Sequence, residues 1–344
     1  MVISLDLVSA IALLALILAA MCAACLSGMR LAKRSAGLAD ADIINTPADD
    51  AAPAAAQAQH ADELDAAIVR GQLFLVHQPK MRARTGQIEA IETLVRWRHP
   101  DHGLISPSDF IGAAEQRGEI LRITEWVIRQ TINEQRSLGA CGHALPFNVN
   151  VSAYLLANRE FAQWTLDTIR SASAPIGIEI TETAMIADPA GALRNLHLFA
   201  DAGIRIAIDD YGAGLSSLAY LKQLPAHELK IDRMFISGLS TSHRDPLLVR
   251  STIDLAHALE MEVTAEGVDS AATMALLRVM GCDLMQGFLI AKPMSLGELR
   301  AFLDTRDAAG EPAIPMAFPW AGSTPTAPGQ EPHSSEGPVI KKIA

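Results

Sequence analysis

Eight side chains able to do chemistry recur at the ends of short apolar runs: Glu92, Asn150, Glu179, Asp209, Asp210, Lys230, Glu266 and Gln286. They supply hard oxygen donors, one lysine, and no histidine or cysteine. Oxygen-only ligation points to Mg2+ or Mn2+ over zinc. Four or five carboxylates around a single ion leave excess negative charge, so two ions suit the set better. Two-ion sites typically run in-line hydrolysis of phosphate esters, and Lys230 would add positive charge at the phosphorus or orient the nucleophile. Taken singly, each residue has a structural explanation: Glu179 and Glu182 as helix-start caps, Lys230 as a partner for Asp232, Asn150 as a turn former. The recurrence of the whole set at strand ends favours a joint site.

The densest part is the stretch from Arg205 to Ser217. Ile204, Ile206 and Ile208 alternate with Arg205, Ala207 and Asp209, the period of a strand. Adjacent strand residues point to opposite faces, so Asp209 and Asp210 serve one site only if the strand ends between them. Gly212 and Gly214 permit such a bend. By itself the stretch fits either a divalent-cation site or a capping turn with Asp210 or Ser216 as N-cap.

These residues need elements to hold them. Strands are predicted at Leu73–Gln78, Ala90–Trp97, Phe147–Ser152, Gly177–Thr181, Arg205–Asp209, Glu228–Asp232, Val263–Glu266 and Leu284–Leu289. Helical spacing appears between them, as in Gly191–Ala202 (Leu193, Leu196, Phe199) and Asp245–Glu260 (Leu248, Thr252, Leu255, Leu259). Strand–helix alternation implies parallel strands joined by crossovers, and the size fits an α/β fold of the (β/α)8 TIM-like barrel type. A doubly wound open sheet is the alternative, but no glycine-rich dinucleotide fingerprint follows the first strand. Several strands set a bulky apolar face against a polar one, as Phe147, Val149 and Val151 oppose Asn148, Asn150 and Ser152. Crossover helices cover the outside of a parallel barrel, so the polar set faces inward and converges at its C-terminal mouth.

The chain has 344 residues, half of them apolar, and a net charge of −11, which argues against binding DNA or RNA polymers. No charge occurs from Leu7 to Met29, long enough to span a bilayer of about 30 Å, and Arg30, Lys33 and Arg34 follow. The expectation is a single-pass inner-membrane anchor over residues 1–34, with the rest cytoplasmic. Residues 35–60, rich in Ala, Pro and Asp, read as a linker, 61–306 as the barrel, and 307–344 as a disordered tail. Cys22 and Cys25 have no nearby histidine or second pair to make a zinc site. His99, His102, His143 and His257 read as loop or surface histidines.

In order along residues 61–303, the motifs Glu92-Thr93-Leu94, Arg96-Trp97, Asn150-Val151-Ser152, Glu179-Ile180-Thr181-Glu182, Asp209-Asp210-Tyr211-Gly212, Leu229-Lys230-Ile231-Asp232, Ala265-Glu266-Gly267-Val268 and Gln286-Gly287-Phe288 resemble the EAL-domain family of cyclic di-GMP phosphodiesterases. The resemblance implies a TIM-like barrel that opens cyclic di-GMP to linear pGpG with two Mg2+ or Mn2+ ions. It implies Glu92, Asn150, Glu179 and Asp209 as ligands of one ion, with Asp209 bridging to a second that Asp210 completes. Lys230 and Glu266 are similar to the water-activating pair, without base and partner being distinguished. It further implies Gln78, Leu94, Arg96 and Gln286 at the substrate, Glu182 anchoring the loop after Asp210, and dimerisation through the barrel. Three departures stand out: Thr93 for the family's alanine, Tyr211 and Ala213 for Phe and Thr, and Asp269 where many members carry a water-holding glutamate.

Overall fold

The structure is a computed structural model that describes residues 63–64, 66–181, 188–212, 218–242 and 244–309. Its strands are β1 (Leu73–Arg82), β2 (Ile88–His99), β3 (Gly103–Ile105), β4 (Phe147–Asn150), β5 (Ile176–Thr181), β6 (Ile206–Tyr211), β7 (Glu228–Ile231), β8 (Glu262–Ala265) and β9 (Leu284–Met285). They form one sheet in the order β1-β9-β8-β7-β6-β5-β4-β2-β3. Because β1 also pairs with β2, eight strands close into a barrel and β3 is appended outside the ring. The barrel expected from the alternation is therefore present.

One strand departs from that expectation. From β2 through β4 to β9 neighbouring barrel strands are parallel, but β1 runs antiparallel to both β2 and β9. The cause is local. Residues 83–87 are too few for a parallel crossover, which needs a dozen or more. Gly86, at φ 76°, instead turns the chain into a hairpin.

Beyond helical residues at 63–64 and 66–69, the described residues form the helices α1 (Pro107–Arg117), α2 (Ile120–Ala140), α3 (Ala153–Leu156), α4 (Arg159–Ala172), α5 (Pro189–Asp201), α6 (Leu218–Leu221), α7 (Arg233–Ser237), α8 (Asp245–Ala258), α9 (Ala271–Val279) and α10 (Leu296–Ala309). Phe147, Val149, Ile178, Ile180, Ile208, Leu229, Ile231 and Val263 are buried in one continuous apolar core with Ile123, Ile128, Leu196, Phe199 and Ile253 from the helices. The alternate strand positions carry Lys80, Glu92, Asn148, Glu179, Lys230 and Thr264, also buried. These polar groups bond to one another from different strands, which places them inside the ring.

Three local expectations are corrected. On α8 the buried face is Val249, Ile253 and Ala256, whereas Leu248 is 52% exposed. The last barrel strand stops at Met285 instead of Leu289. Gly287 packs so closely on Val268 that an added Cβ would lie 2.2 Å from the Val268 nitrogen. His99 is buried, not a surface residue: it pairs with Glu63, and its Nδ1 accepts from the Asp101 and His102 amides. Among the described residues no helix is long and apolar enough to cross a membrane, and the expected span at 7–29 and linker at 35–60 lie outside them. The helix α10 continues past the expected boundary at Arg306 to Ala309.

Candidate active site

Glu92, Asn150, Glu179, Asp209, Asp210 and Lys230 lie on their strands, whereas Glu266 and Gln286 directly follow the ends of β8 and β9. Glu92 lies on β2 directly opposite Gln78 on β1, and Asn150 on β4 pairs in register with Glu179 on β5. Asp209 ends the regular part of β6, where the pairing with β7 shifts between Ile208 and Tyr211. Asp210 takes φ 55°, and its amide donates to its neighbour's Oδ1 at 3.0 Å. The strain of turning two adjacent carboxylates toward one site therefore falls on an aspartate, a residue that tolerates the left-handed region, and not on the glycines alone. Gly212, at φ 101°, serves another need: a Cβ there would meet the Phe235 ring at 2.7 Å.

Lys230 is the hub. Its ammonium, fully buried, lies 2.7 Å from Glu179, 2.7 Å from Glu266, 3.0 Å from Asp209 and 3.5 Å from Glu92. Asp232, the other partner weighed for it, instead caps α7 by accepting from the Met234 amide. Around this lysine, oxygens of Glu92, Glu179 and Asp209 come within 4.8 Å of one another, as do those of Asp209, Asp210 and Glu266. Asp209 belongs to both groups. Asn150 donates to Glu92 at 3.1 Å, and the Gln286 amide donates to Glu92 at 2.5 Å and to Gln78 at 2.9 Å. The Gln286 Oε1 is buried with no hydrogen-bond partner among the described residues.

The charge balance is lopsided. Burial pushes Glu92 up against the opposing pull of Lys230, with Glu179 and Asp209 adding to the rise. Burial raises Glu266 to about 8 despite Lys230, with Asp209 and Glu92 adding to the shift. Burial and then Asp209 raise Asp210 to about 6. Glu179 goes the other way: burial opposes its charge, but Lys230 and Lys80 hold it well below the usual carboxylate range. Lys230 stays charged against burial because Asp209, Glu179, Glu266 and Glu92 surround it. Glu92, Glu266 and Asp210 thus hold their protons more tightly than free carboxyls do, and a divalent cation would release them. Together with the unpartnered amide oxygen, this donor set fits hard oxygen-bound cations.

A cavity of about 780 Å³ is lined by Thr93, Leu94, Arg96, Pro107, Glu115, Asn150 and Tyr154 among others; Asn150 is the member of the predicted ligand set that lines it, and the clustered carboxylates do not. The predicted substrate residues Leu94 and Arg96 lie on it. Gln78 does not line it: it is buried, donates to the Ala291 carbonyl and accepts from Gln286. Asp269 accepts from Arg233 at 3.3 Å and from the Phe288 amide at 3.0 Å, apart from both carboxylate groups. Glu182, Ala213 and Gly214 lie outside the described residues.

Sequence reasoning missed one residue inside the ring. Lys80, fully buried, donates to Glu179 at 2.6 Å and to Glu228 at 2.7 Å. The signal was available, because Lys80 continues the alternation that puts Gln78 indoors. The strand predicted at Leu73–Gln78 stops two residues short of it, whereas β1 runs to Arg82.

Residues 61–293 match the family model described as EAL domain. The chain is 38% identical over 253 residues, 71% of its length, to the bifunctional diguanylate cyclase/cyclic di-GMP phosphodiesterase MucR of Pseudomonas aeruginosa, of which it covers 36%. It is 36% identical over 234 residues, 66% of its length, to the cyclic di-GMP phosphodiesterase PdeR of Escherichia coli, of which it covers 35%. The chain thus spans about a third of the length of these curated relatives. Among solved structures, the PaMucR phosphodiesterase in complex with c-di-GMP superposes with a TM-score of 0.67 at 38% identity, covering 70% of this chain and 99% of that one. The EAL enzyme Bd1971 in its cAMP and cyclic-di-GMP bound form gives 0.68 at 29% identity, covering 72% and 69%. With a closed eight-stranded ring, the family's motifs at its strand ends and a family-model match over most of its length, this chain belongs to the EAL domain family.

Proposed function

We propose that this protein hydrolyses cyclic di-GMP to linear pGpG with two Mg2+ or Mn2+ ions. The observation that carries this reading is Lys230 ringed by Glu92, Glu179, Asp209 and Glu266, joined through Asn150 to a cavity of nucleotide size. Glu92, Asn150, Glu179 and Asp209 would hold one cation, and Asp209 with Asp210 the other. Bound there, they would supply an acidified water and neutralise charge on the phosphoryl oxygens. Arg96 and Leu94, on the cavity wall, would meet a phosphate and a base, with Gln286 steadying Glu92 from the site's edge. Lys230, kept cationic, stabilises negative charge at phosphorus, and Glu266 accepts the proton as the water oxygen bonds to phosphorus and the 3′ oxygen leaves. Asp269, tied to Arg233 and Phe288, would hold a water only at the margin.

The test is hydrolysis by the full-length chain in mild detergent with Mn2+. Formation of pGpG by wild type and its absence in Glu92→Ala support the reading. Binding of cyclic di-GMP that persists in EDTA without any pGpG would make the protein a receptor.

The anchoring and assembly of the chain belong to the same proposal. The uncharged run from Leu7 to Met29 and its basic flank support a single-pass inner-membrane anchor with a cytoplasmic barrel. Half-exposed Leu248, which lines a small pocket with Tyr211, Gly212 and Phe235, supports a homodimer formed beside the Asp210 loop. Fractionation of membranes and the mass of Leu248→Asp in solution test the two parts.

A further inference from the structure

Beneath the candidate site, the interior of the barrel holds a second buried lysine that the mechanism does not use. Lys80 Nζ donates to Glu179 Oε1 at 2.6 Å and to Glu228 Oε1 at 2.7 Å, and neither lysine nor glutamate side chain is more than 6% exposed. Asn148 Nδ2 donates to the same Glu179 oxygen at 2.9 Å, and Thr264 Oγ1 donates to the same Glu228 oxygen at 2.6 Å. The other Glu179 oxygen, Oε2, faces Lys230 at 2.7 Å, on the side of Glu92 and Asp209. The two oxygens thus have different surroundings: Oε1 is saturated by two donors from β1 and β4, and Oε2 is offered to the site.

We propose that Lys80 is a positioning residue that clamps Oε1 of Glu179 from below and so fixes which oxygen this carboxylate presents to a cation. A carboxylate on a two-bond stem has rotational freedom that a ligand must lose on binding, and a partner holding the far oxygen removes it beforehand. A lysine has the reach to do this from a strand on the far side of the ring. Its ammonium needs two anions to be tolerated at zero exposure, and Glu228 is the second. Glu228 in turn is held by Thr264, so the clamp is anchored on β7 and β8 as well as β1. The proposal rests on reading Glu92, Glu179 and Asp209 as a cation site.

The experiment measures Mn2+ affinity by titration calorimetry, and kcat and KM separately, on the full-length chain. The variant is Lys80→Met combined with Glu228→Gln, which removes one charge of each sign and leaves no unpaired ion. Expected is cooperative unfolding with a weakening of Mn2+ binding by about 10- to 100-fold, the usual cost of losing a partner that orients a ligand. The same variant should lose kcat with KM unchanged, a split that a purely structural role would not produce. A folded double variant that binds Mn2+ as wild type does overturns the proposal. If the double variant does not fold, Glu228→Gln alone decides. It keeps the Lys80–Glu179 contact, so retained Mn2+ affinity supports the clamp and a comparable loss overturns it in favour of overall charge balance. Wild type that fails to bind Mn2+ removes the cation-site reading itself, an outcome distinct from either.

Discussion

Lys230 Nζ and Glu266 Oε1 stand 2.7 Å apart inside the barrel mouth, yet burial among other carboxylates lifts Glu266 to about 8. One ammonium shared among four carboxylates leaves Glu266 under-compensated, which suits a group that must take up a proton and give it back. Glu266→Gln keeps the shape and a hydrogen bond to the lysine region but cannot accept that proton. Its kcat should fall by about 10²- to 10⁴-fold, the span of general acid–base contributions. KM for cyclic di-GMP should stay put. Chromatography of pGpG under saturating substrate reads both, and a variant with wild-type kcat would remove Glu266 from the role of base.

The same crowding sets the stability of the metal-free protein. Glu266 is raised from 4.5 to about 8 and Asp210 from 3.8 to about 6, so the folded state binds these protons more tightly than the unfolded one. Their contribution is complete below their ordinary values and is lost as pH rises through about 6 and then about 8. In EDTA the melting temperature should therefore decline across that window. With saturating Mn2+ the decline should vanish or reverse, since cation binding strengthens as the protons leave. A rise in melting temperature over the same window in EDTA would contradict the assignment.

Thr93, the departure in the middle of the family's namesake motif, is explained by the opposite face of its strand. It is 2% exposed, pairs in register with His77, and its Oγ1 lies 3.4 Å from His77 Nδ1. His77 in turn reaches Glu134 on α2 at 2.5 Å. Neither group faces Glu92. Thr93→Ala should leave kcat and Mn2+ affinity unchanged and cost about 1 kcal/mol of stability through the lost hydrogen bond. A large drop in kcat in this variant would show that the outer face of β2 controls the placement of Glu92.

The pattern of types along each strand was enough to place Glu92, Glu179, Asp209, Lys230 and Glu266 in one site, because a period of two inside a helix-covered ring leaves polar residues nowhere else to go. The direction of β1 was not legible in the same way. A strand carries no mark of its direction; only the short connection at residues 83–87 decides it. Nor are the contacts of Gln78, expected at the nucleotide, legible in the chain: its side chain bonds to Ala291 and Gln286, more than 200 residues away in sequence. Lys80 differs in part: the alternation that puts Gln78 indoors also turns Lys80 inward, but nothing local marks its two glutamate partners, 99 and 148 residues on.

Gly177 offers a test of how far the site depends on packing below it. It sits opposite Asn148 in the β4–β5 register, and a Cβ added there would lie 2.5 Å from Asn148 Oδ1 and 3.3 Å from the Arg205 carbonyl. The backbone carbonyl is fixed by the sheet, since Ile178 N donates to it at 2.9 Å. Asn148 is therefore the group that must yield, and its Nδ2 is one of the two donors on Glu179 Oε1. Gly177→Ala should cost about 1–3 kcal/mol, as overpacking in a tight interior does. It should also weaken Mn2+ binding, although residue 177 itself touches no ligand oxygen. Denaturant unfolding and calorimetry on the same preparation separate the two effects. A variant that loses stability but binds Mn2+ as wild type does would mean that Glu179 is held without Asn148, leaving Lys80 to set its orientation alone.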